Sequence, residues 1–324
     1  MSQKAPCTKL LSKHPVLAYD LGGTKVAVGV VDSKGHVLEE IRVPVAIAQG
    51  KAVVLEQLAV LGQSLIAEYP RIERVGIASA GPLDPRTGTL LDPTNFAGPK
   101  GRWGKVPLAK LLSKKLKRPV SLENDAAAAM LAERWVGTAQ GQDNVMILTL
   151  GTGLGTGIIA NGNLVRGGRG LHPEAGHVII HEGDSSAPCG CGNLGCAEAY
   201  LSGRSFARRA RARFGNAELT AQDIAEFARK RDPRALAAFD EYAHLMAIAI
   251  SNYLRIYYPE MVVFTGSFAQ AQDLFLPATR DHLKHLLRWS SPKDKMIPKL
   301  KVSTLNNQAG LIGGAYVALF QHGG

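Results

Sequence analysis

Two stretches of this chain follow one local pattern: an apolar strand, a glycine turn and a second apolar strand. The first is Val16-Leu-Ala-Tyr-Asp20-Leu-Gly-Gly-Thr-Lys25-Val-Ala-Val-Gly-Val-Val31. The second starts at Asn144 and passes through Leu150-Gly-Thr-Gly-Leu-Gly-Thr-Gly157 to Ala160. Apolar runs broken by closely spaced glycines read as hairpins. The residues differ, so this is a structural echo and not a sequence repeat, with one hairpin near the start of each of two domains. At 324 residues the chain has room for two domains and a large core.

Between the hairpins, Val54, Leu58, Leu61 and Leu65 form a helical stripe, and Arg74 to Ala80 is a short strand ending at Gly81-Pro82. A loop rich in Pro and Gly spans 83–104. A basic helix from about Pro107 and a strand over 119–122 follow, and Asn124 caps an alanine-rich helix over 125–135. Later, Leu236, Phe239, Ala243, Met246, Ile250, Leu254 and Tyr257 mark a long buried helix. Residues 260–265 make a strand ending at Gly266-Ser267, and 309–320 a final helix containing Gly313-Gly314. The expected division is a small domain over 1–122 and a larger one over 123–308, with the tail 309–324 packing back on the first.

One histidine and three cysteines, His177, Cys189, Cys191 and Cys196, fall 12, 2 and 5 residues apart, flanked by Glu174 and Glu198. Three thiolates and an imidazole are the ligand set of a closed tetrahedral zinc site. A redox pair or ordinary buried cysteines are the simpler readings, and the spacing favours metal over both. Four protein ligands leave no open position, and the formal charge of −1 makes a poor Lewis acid. The zinc is therefore expected to organise its loop and not to catalyse.

The start of the chain lacks the apolar stretch of a secretory signal, and no apolar run is long enough to span a bilayer. With Cys7 left over as a free thiol, a reducing cytoplasm is expected. The net charge is +11, with basic clusters at Lys114, Lys115, Lys117 and Arg118 and at Arg204, Arg208, Arg209, Arg211 and Arg213. The first cluster has no interleaved aromatic and the second only Phe206, so solvated helix faces are expected and not a nucleic-acid surface.

The glycine turns at Gly22-Gly23 and Gly151-Thr-Gly153 can bring backbone N–H groups against phosphate oxygens. Both lead into strands and not helices, so neither is a P-loop or a dinucleotide fingerprint. One such turn is weak evidence, but two opening two domains suggest a clamped nucleotide. Asp20 then lies toward the metal–phosphate end, with the hydroxyls of Thr24 and Thr152 donating to phosphate. Asp125, at the start of its helix, either favours the helix dipole or accepts the proton of an attacking hydroxyl. Asn124, Glu174 and Glu198 are candidate contacts for a polyol.

Taken together, Asp20-Leu-Gly-Gly-Thr-Lys25, Glu123-Asn-Asp-Ala126, Leu150 to Gly157, Glu174-Ala-Gly-His177 and Cys189 to Glu198 make nearly the whole chain resemble the ROK family (repressor, open reading frame, kinase). The resemblance implies an α/β, actin-like (hexokinase-type) ATPase fold whose two domains close on a hexose and on ATP with Mg²⁺. It makes Asp125 the general base. It assigns sugar contacts to Asn124, Asp125, Glu174, His177 and Glu198, with Gly81 and Asn95 nearby. It assigns the nucleotide to Asp20, Gly22, Gly23, Thr24, Lys25, Gly151, Thr152, Gly153 and Gly266, and Zn²⁺ to His177, Cys189, Cys191 and Cys196. Phosphorylation of a hexose 6-hydroxyl by a homodimer or homotetramer follows, with glucose first and fructose, mannose and the N-acetylhexosamines as alternatives.

Two departures stand out. Gly266-Ser267 replaces a usual Gly-Gly, and the 93–104 loop is longer than in bacterial glucokinases, which leaves the hexose open. The family's repressors carry a helix-turn-helix ahead of this body. Only about 15 residues precede the first strand here, too few for that motif, so an enzyme is expected.

Overall fold

Strand β1 (Val16–Leu21) is apolar or aromatic at every position except Asp20 because it is covered on both faces. The computed structural model describes residues 12–93, 95–288 and 296–320, so Cys7 lies outside the described residues. Leu17, Tyr19 and Leu21 enter one core with Val54, Leu58 and Leu65 of α1 (Lys51–Glu68) and Leu112 of α2 (Leu108–Leu116). Val16 and Ala18 point the other way, against Leu311, Ala315 and Ala318 of the C-terminal helix (Ala309–Phe320). This is the two-residue alternation of a strand serving two cores.

The strands β2 (Lys25–Val31) and β3 (Val37–Pro44) extend the meander in antiparallel order, and β4 (Val75–Ser79) joins the free edge of β1 in parallel. The 83–104 stretch, expected as a loop, carries short strands β5 (Leu83–Asp84), β6 (Thr89–Leu91), β7 (Ala97–Gly98) and β8 (Gly101–Arg102), with β9 (Lys105–Val106) after it. Phe96 and Trp103, their ring centroids 4.9 Å apart, pin it to the core. Strand β10 (Val120–Asn124) pairs in parallel with β4, giving the order β10-β4-β1-β2-β3, and runs on into α3 (Asp125–Val136). The helix over 309–320 lies close on this sheet because glycines permit it. A Cβ on Gly76 would stand 1.9 Å from the Gly314 carbonyl oxygen, and one on Gly313 would stand 2.3 Å from that of Ala128 in α3.

A second unit repeats the theme. β11 (Val145–Leu150) and β12 (Leu154–Ala160) form an antiparallel hairpin. The chain then passes through the two-residue strand β13 (Asn163–Leu164), which groups with the first unit, before β14 (Met261–Thr265) joins β11 in parallel and β15 (Lys299–Val302) joins β14. Its helices are α4 (Glu198–Leu201), α5 (Gly203–Arg211), α6 (Ala221–Arg229), α7 (Pro233–Ile256) and α8 (Gln272–Leu286). Asp232 caps α7 ahead of Pro233, and Phe206, Phe239, Tyr242, Phe268 and Phe275 stack into its core.

Contacts group residues up to 141, 161–173 and those from 307 as one unit, and 142–160 with 174–306 as the other. This division differs from a boundary after residue 122. Asn124 is still in ladder register with Ser79, and α3 packs on the C-terminal helix. Among the described residues, no helix is long and apolar enough to cross a membrane.

Candidate active site

In the first unit the parallel strands β1, β4 and β10 end together. Leu21 and Asn124 each pair with Ser79, so the residues that follow share one carboxyl edge, the edge at which α/β sheets take ligands. Past β1 comes the Gly22–Lys25 turn, closed by the Gly22 amide donating to the Lys25 carbonyl at 3.1 Å. Thr24 and Lys25 are exposed. Past β4 comes Gly81, with a cis bond to Pro82, and past β10 comes Asp125. Asn95 reaches the same edge, since a Cβ on Gly23 would lie 3.4 Å from its Cβ.

Asn124 is 4% exposed, and its Oδ1 accepts from the amides of Ala126 and Ala127 at 2.9 and 3.1 Å. Its oxygen is thus committed to capping α3, which leaves the Nδ2 donors. Asp125, half-buried on the first turn, has Oδ1 accepting from the Ala126 amide at 2.8 Å. Asp20 sits where burial pushes its carboxyl up to about 6, against the pull of Arg42 and with a further push from Glu40. Gly310 abuts it, since a Cβ there would stand 2.4 Å from Asp20 Oδ2.

Sequence reasoning passed over two partners here, Gly310 and Arg166. The fully buried Glu123 forms an ion pair with Arg166, whose Nη1 donates to Oε1 at 3.0 Å, and Oε1 also accepts from the Asn124 amide at 2.8 Å. A lone arginine 43 residues away in sequence gives no local signal.

In the second unit, β11 and β14 end in register, with Thr149 opposite Thr265. Gly266 has φ +90°, and a Cβ on it would stand 2.5 Å from the Leu150 carbonyl oxygen. Beside the Gly151–Gly153 turn lies a cavity of about 640 Å³ lined by Thr152, Gly203, Ser267 and Phe268 among others. Glu198 ties this turn to the cysteine segment. Its Oε2 accepts from the Leu154 amide at 2.9 Å, and its Oε1 lies 3.6 Å from Cys189 Sγ.

The Glu174–His177 stretch folds as a single 3-10 turn over β12. A Cβ on Gly176 would stand 2.2 Å from the Leu154 carbonyl oxygen, and the buried Tyr253 hydroxyl donates to the Ala175 carbonyl at 2.8 Å. Burial raises the Glu174 carboxyl, with His177 lowering it and Glu198 raising it further.

Ligand atoms of His177, Cys189, Cys191 and Cys196 all lie within 4.8 Å of one another. His177 Nδ1 is 3.4 Å from Cys189 Sγ, and Cys191 Sγ is 3.7 Å from Cys196 Sγ. A tetrahedral zinc with Zn–S about 2.3 Å and Zn–N about 2.0 Å has S···S edges of about 3.8 Å and S···N edges of about 3.5 Å. A disulfide would need about 2.05 Å. The four residues therefore fit zinc and not a cystine.

Residues 16–321 match the ROK family, and the chain belongs to it. It is 30% identical to a glucokinase of Thermotoga maritima over 97% of this chain and 100% of that one. It is 32% identical to an N-acetyl-D-glucosamine kinase of Escherichia fergusonii over 93% and 98%. A crystal structure of a ROK family glucokinase from Streptomyces griseus in complex with glucose and AMPPNP has 30% identity and a TM-score of 0.78, covering 94% of this chain and 99% of that chain. The fold is thus the α/β, actin-like class of these kinases.

Proposed function

We propose that this chain, an ATP-dependent sugar kinase, transfers the γ-phosphoryl group of ATP to the 6-hydroxyl of glucose, with Asp125 as general base. The observation that carries this reading is the carboxyl edge of the first unit, where Asp125 shares one sheet edge with a phosphate-type glycine turn and Asp20. Asp125 accepts the hydroxyl proton as the sugar oxygen bonds to the γ-phosphorus. The bond from that phosphorus to the β–γ bridging oxygen breaks, and ADP leaves with the electron pair. Amides of both glycine turns face phosphate oxygens, and the cavity beside Gly151 takes the nucleoside against Phe268. Asp20, a carboxylate at the turn, suits Mg²⁺, which when bound offsets phosphate charge. Glu174, Glu198 and His177 Nε2 meet sugar hydroxyls, and His177, Cys189, Cys191 and Cys196 would hold a zinc ion that, when bound, would fix the shape of their loop.

The glucokinase relatives support glucose, and the equally similar N-acetyl-D-glucosamine kinase supplies the rival. ADP release measured across glucose, fructose, mannose, N-acetylglucosamine and N-acetylmannosamine tests both. Glucose is expected to give the highest kcat/KM, by about tenfold or more. A higher value for N-acetylglucosamine overturns the glucose assignment, and no ADP release with any of the five overturns the kinase.

The Asp20 carboxyl gives a pH signature. Its folded-state value of about 6 lies above the ordinary 3.8, so the folded chain holds this proton more tightly than the unfolded one. Its contribution to stability falls as pH rises from about 4 to 6. Metal binding needs the anion, so kcat/KM for ATP is expected to decline below pH 6, and more Mg²⁺ should move that limb to lower pH. A limb indifferent to Mg²⁺ from 1 to about 20 mM, on the order of a 20-fold range, would detach Asp20 from the metal.

A further inference from the structure

The large cavity of the second unit has two cationic side chains in its wall, Arg204 and Arg229. Arg229 is committed, its guanidinium forked on Asp273 at 2.9 and 3.1 Å. The other arginines of α5 are committed too. Arg208 donates to the Ala199 carbonyl, Arg209 to Glu241 and Arg211 to the Leu219 carbonyl, and Arg213, just past the helix, also donates to Glu241. Arg204 alone among the described arginines of α5 makes no hydrogen bond or ion pair within the chain. Its backbone is nevertheless held at the phosphate turn. The amide of Gly203, one residue earlier, donates to the Gly151 carbonyl at 2.9 Å, and a Cβ on Gly203 would meet Phe268 at 3.1 Å. Ser202, fully buried, caps this end of α5 by accepting from the Ser205 amide.

We infer that Arg204 binds the phosphate chain of the nucleotide, a role that rests on the ATP reading above and adds a residue outside every motif that carried it. A polyphosphate in that cavity brings several negative charges, and the glycine-turn amides supply only partial positive charge. A planar guanidinium with all its donors unspent, anchored beside Gly151 and Thr152, is the group suited to that anion. Arg204 also borders a smaller cavity of about 170 Å³. That one is walled by the Glu198 carboxylate, Cys189 and an Arg208 already donating to the Ala199 carbonyl, and it is about a quarter of the volume, so the phosphate chain belongs in the larger space.

The test is Arg204→Ala and Arg204→Lys in the full chain, with Mg·ADP and adenosine titrated by calorimetry, steady-state KM for ATP, and melting as a control. Charged hydrogen bonds of this kind correspond to about a tenfold or greater loss of affinity. Arg204→Ala is expected to weaken ADP and raise the KM for ATP by at least that factor, leaving adenosine affinity and melting unchanged. The lysine variant should fall between. Unchanged ADP affinity overturns the inference, and so does an equal loss for adenosine, which marks a structural role. A wild-type chain that binds no Mg·ADP fails the ATP reading itself, a separate result.

Discussion

Asp125→Asn is expected to lower kcat for sugar phosphorylation by about 10²–10⁴-fold while the dissociation constant for the sugar moves only a few-fold. The asymmetry follows from what the residue does in the fold. Its Oδ1 accepts from the Ala126 amide at 2.8 Å, a bond the asparagine oxygen can also accept. Helix α3 does not depend on it for a cap, because Asn124 already satisfies the Ala126 and Ala127 amides. Losing one negative charge from the first turn costs about 0.3–1 kcal/mol, too little to unfold the chain. The substitution therefore removes the proton acceptor while keeping the size of the side chain and an oxygen for the Ala126 amide. Coupled ADP release and sugar titration on the same preparation read the two quantities separately. A variant keeping more than about a tenth of wild-type turnover would remove Asp125 as the base.

Much of this site could be read from residue order because the signals are local. Glycine turns between apolar runs, an N-cap ahead of an alanine-rich helix, and four soft ligands within 20 residues each sit inside one short window. What escaped reading was assembled across the chain. Glu123 stands in a Glu-Asn-Asp stretch with no cationic residue beside it in sequence. Its burial is explained only by Arg166, which reaches it from a segment that belongs to the first unit although it follows the second hairpin. Gly310 falls in the first turn of the last helix, and its contact with Asp20 depends on how that helix lies on β1. The expected boundary at 122 differs from the contact division for the same reason. Hydrophobic periodicity marks where β10 and α3 are, but not that both stay on the first sheet. The 83–104 segment has turn composition, and its short strands come from tertiary pairing of β6 with β5 and β9, anchored by Phe96 and Trp103.

Removing zinc is expected to lower the melting temperature by about 5 °C or more and to weaken sugar binding about tenfold. The first figure takes at least a few kcal/mol from the metal and roughly 2 °C per kcal/mol for units of this size. The second follows from the connections of the cysteine segment. Cys189 Sγ lies against both His177 Nδ1 and Glu198 Oε1, and Glu198 in turn holds the Leu154 amide after the glycine turn. Freeing the sulfurs thus releases the two proposed sugar contacts at once, and not only a surface loop. Cys191→Ser separates metal from fold in general, because Cys191 is exposed and its sulfur packs into no core, unlike the fully buried Cys196. About one zinc per chain is expected by elemental analysis of the wild type. Chelation should reproduce the Cys191→Ser effects, re-addition of zinc should reverse chelation but not the substitution, and reducing agent alone should change nothing. If chelation leaves both melting and sugar affinity where they were, the four ligands hold no metal that matters to the site.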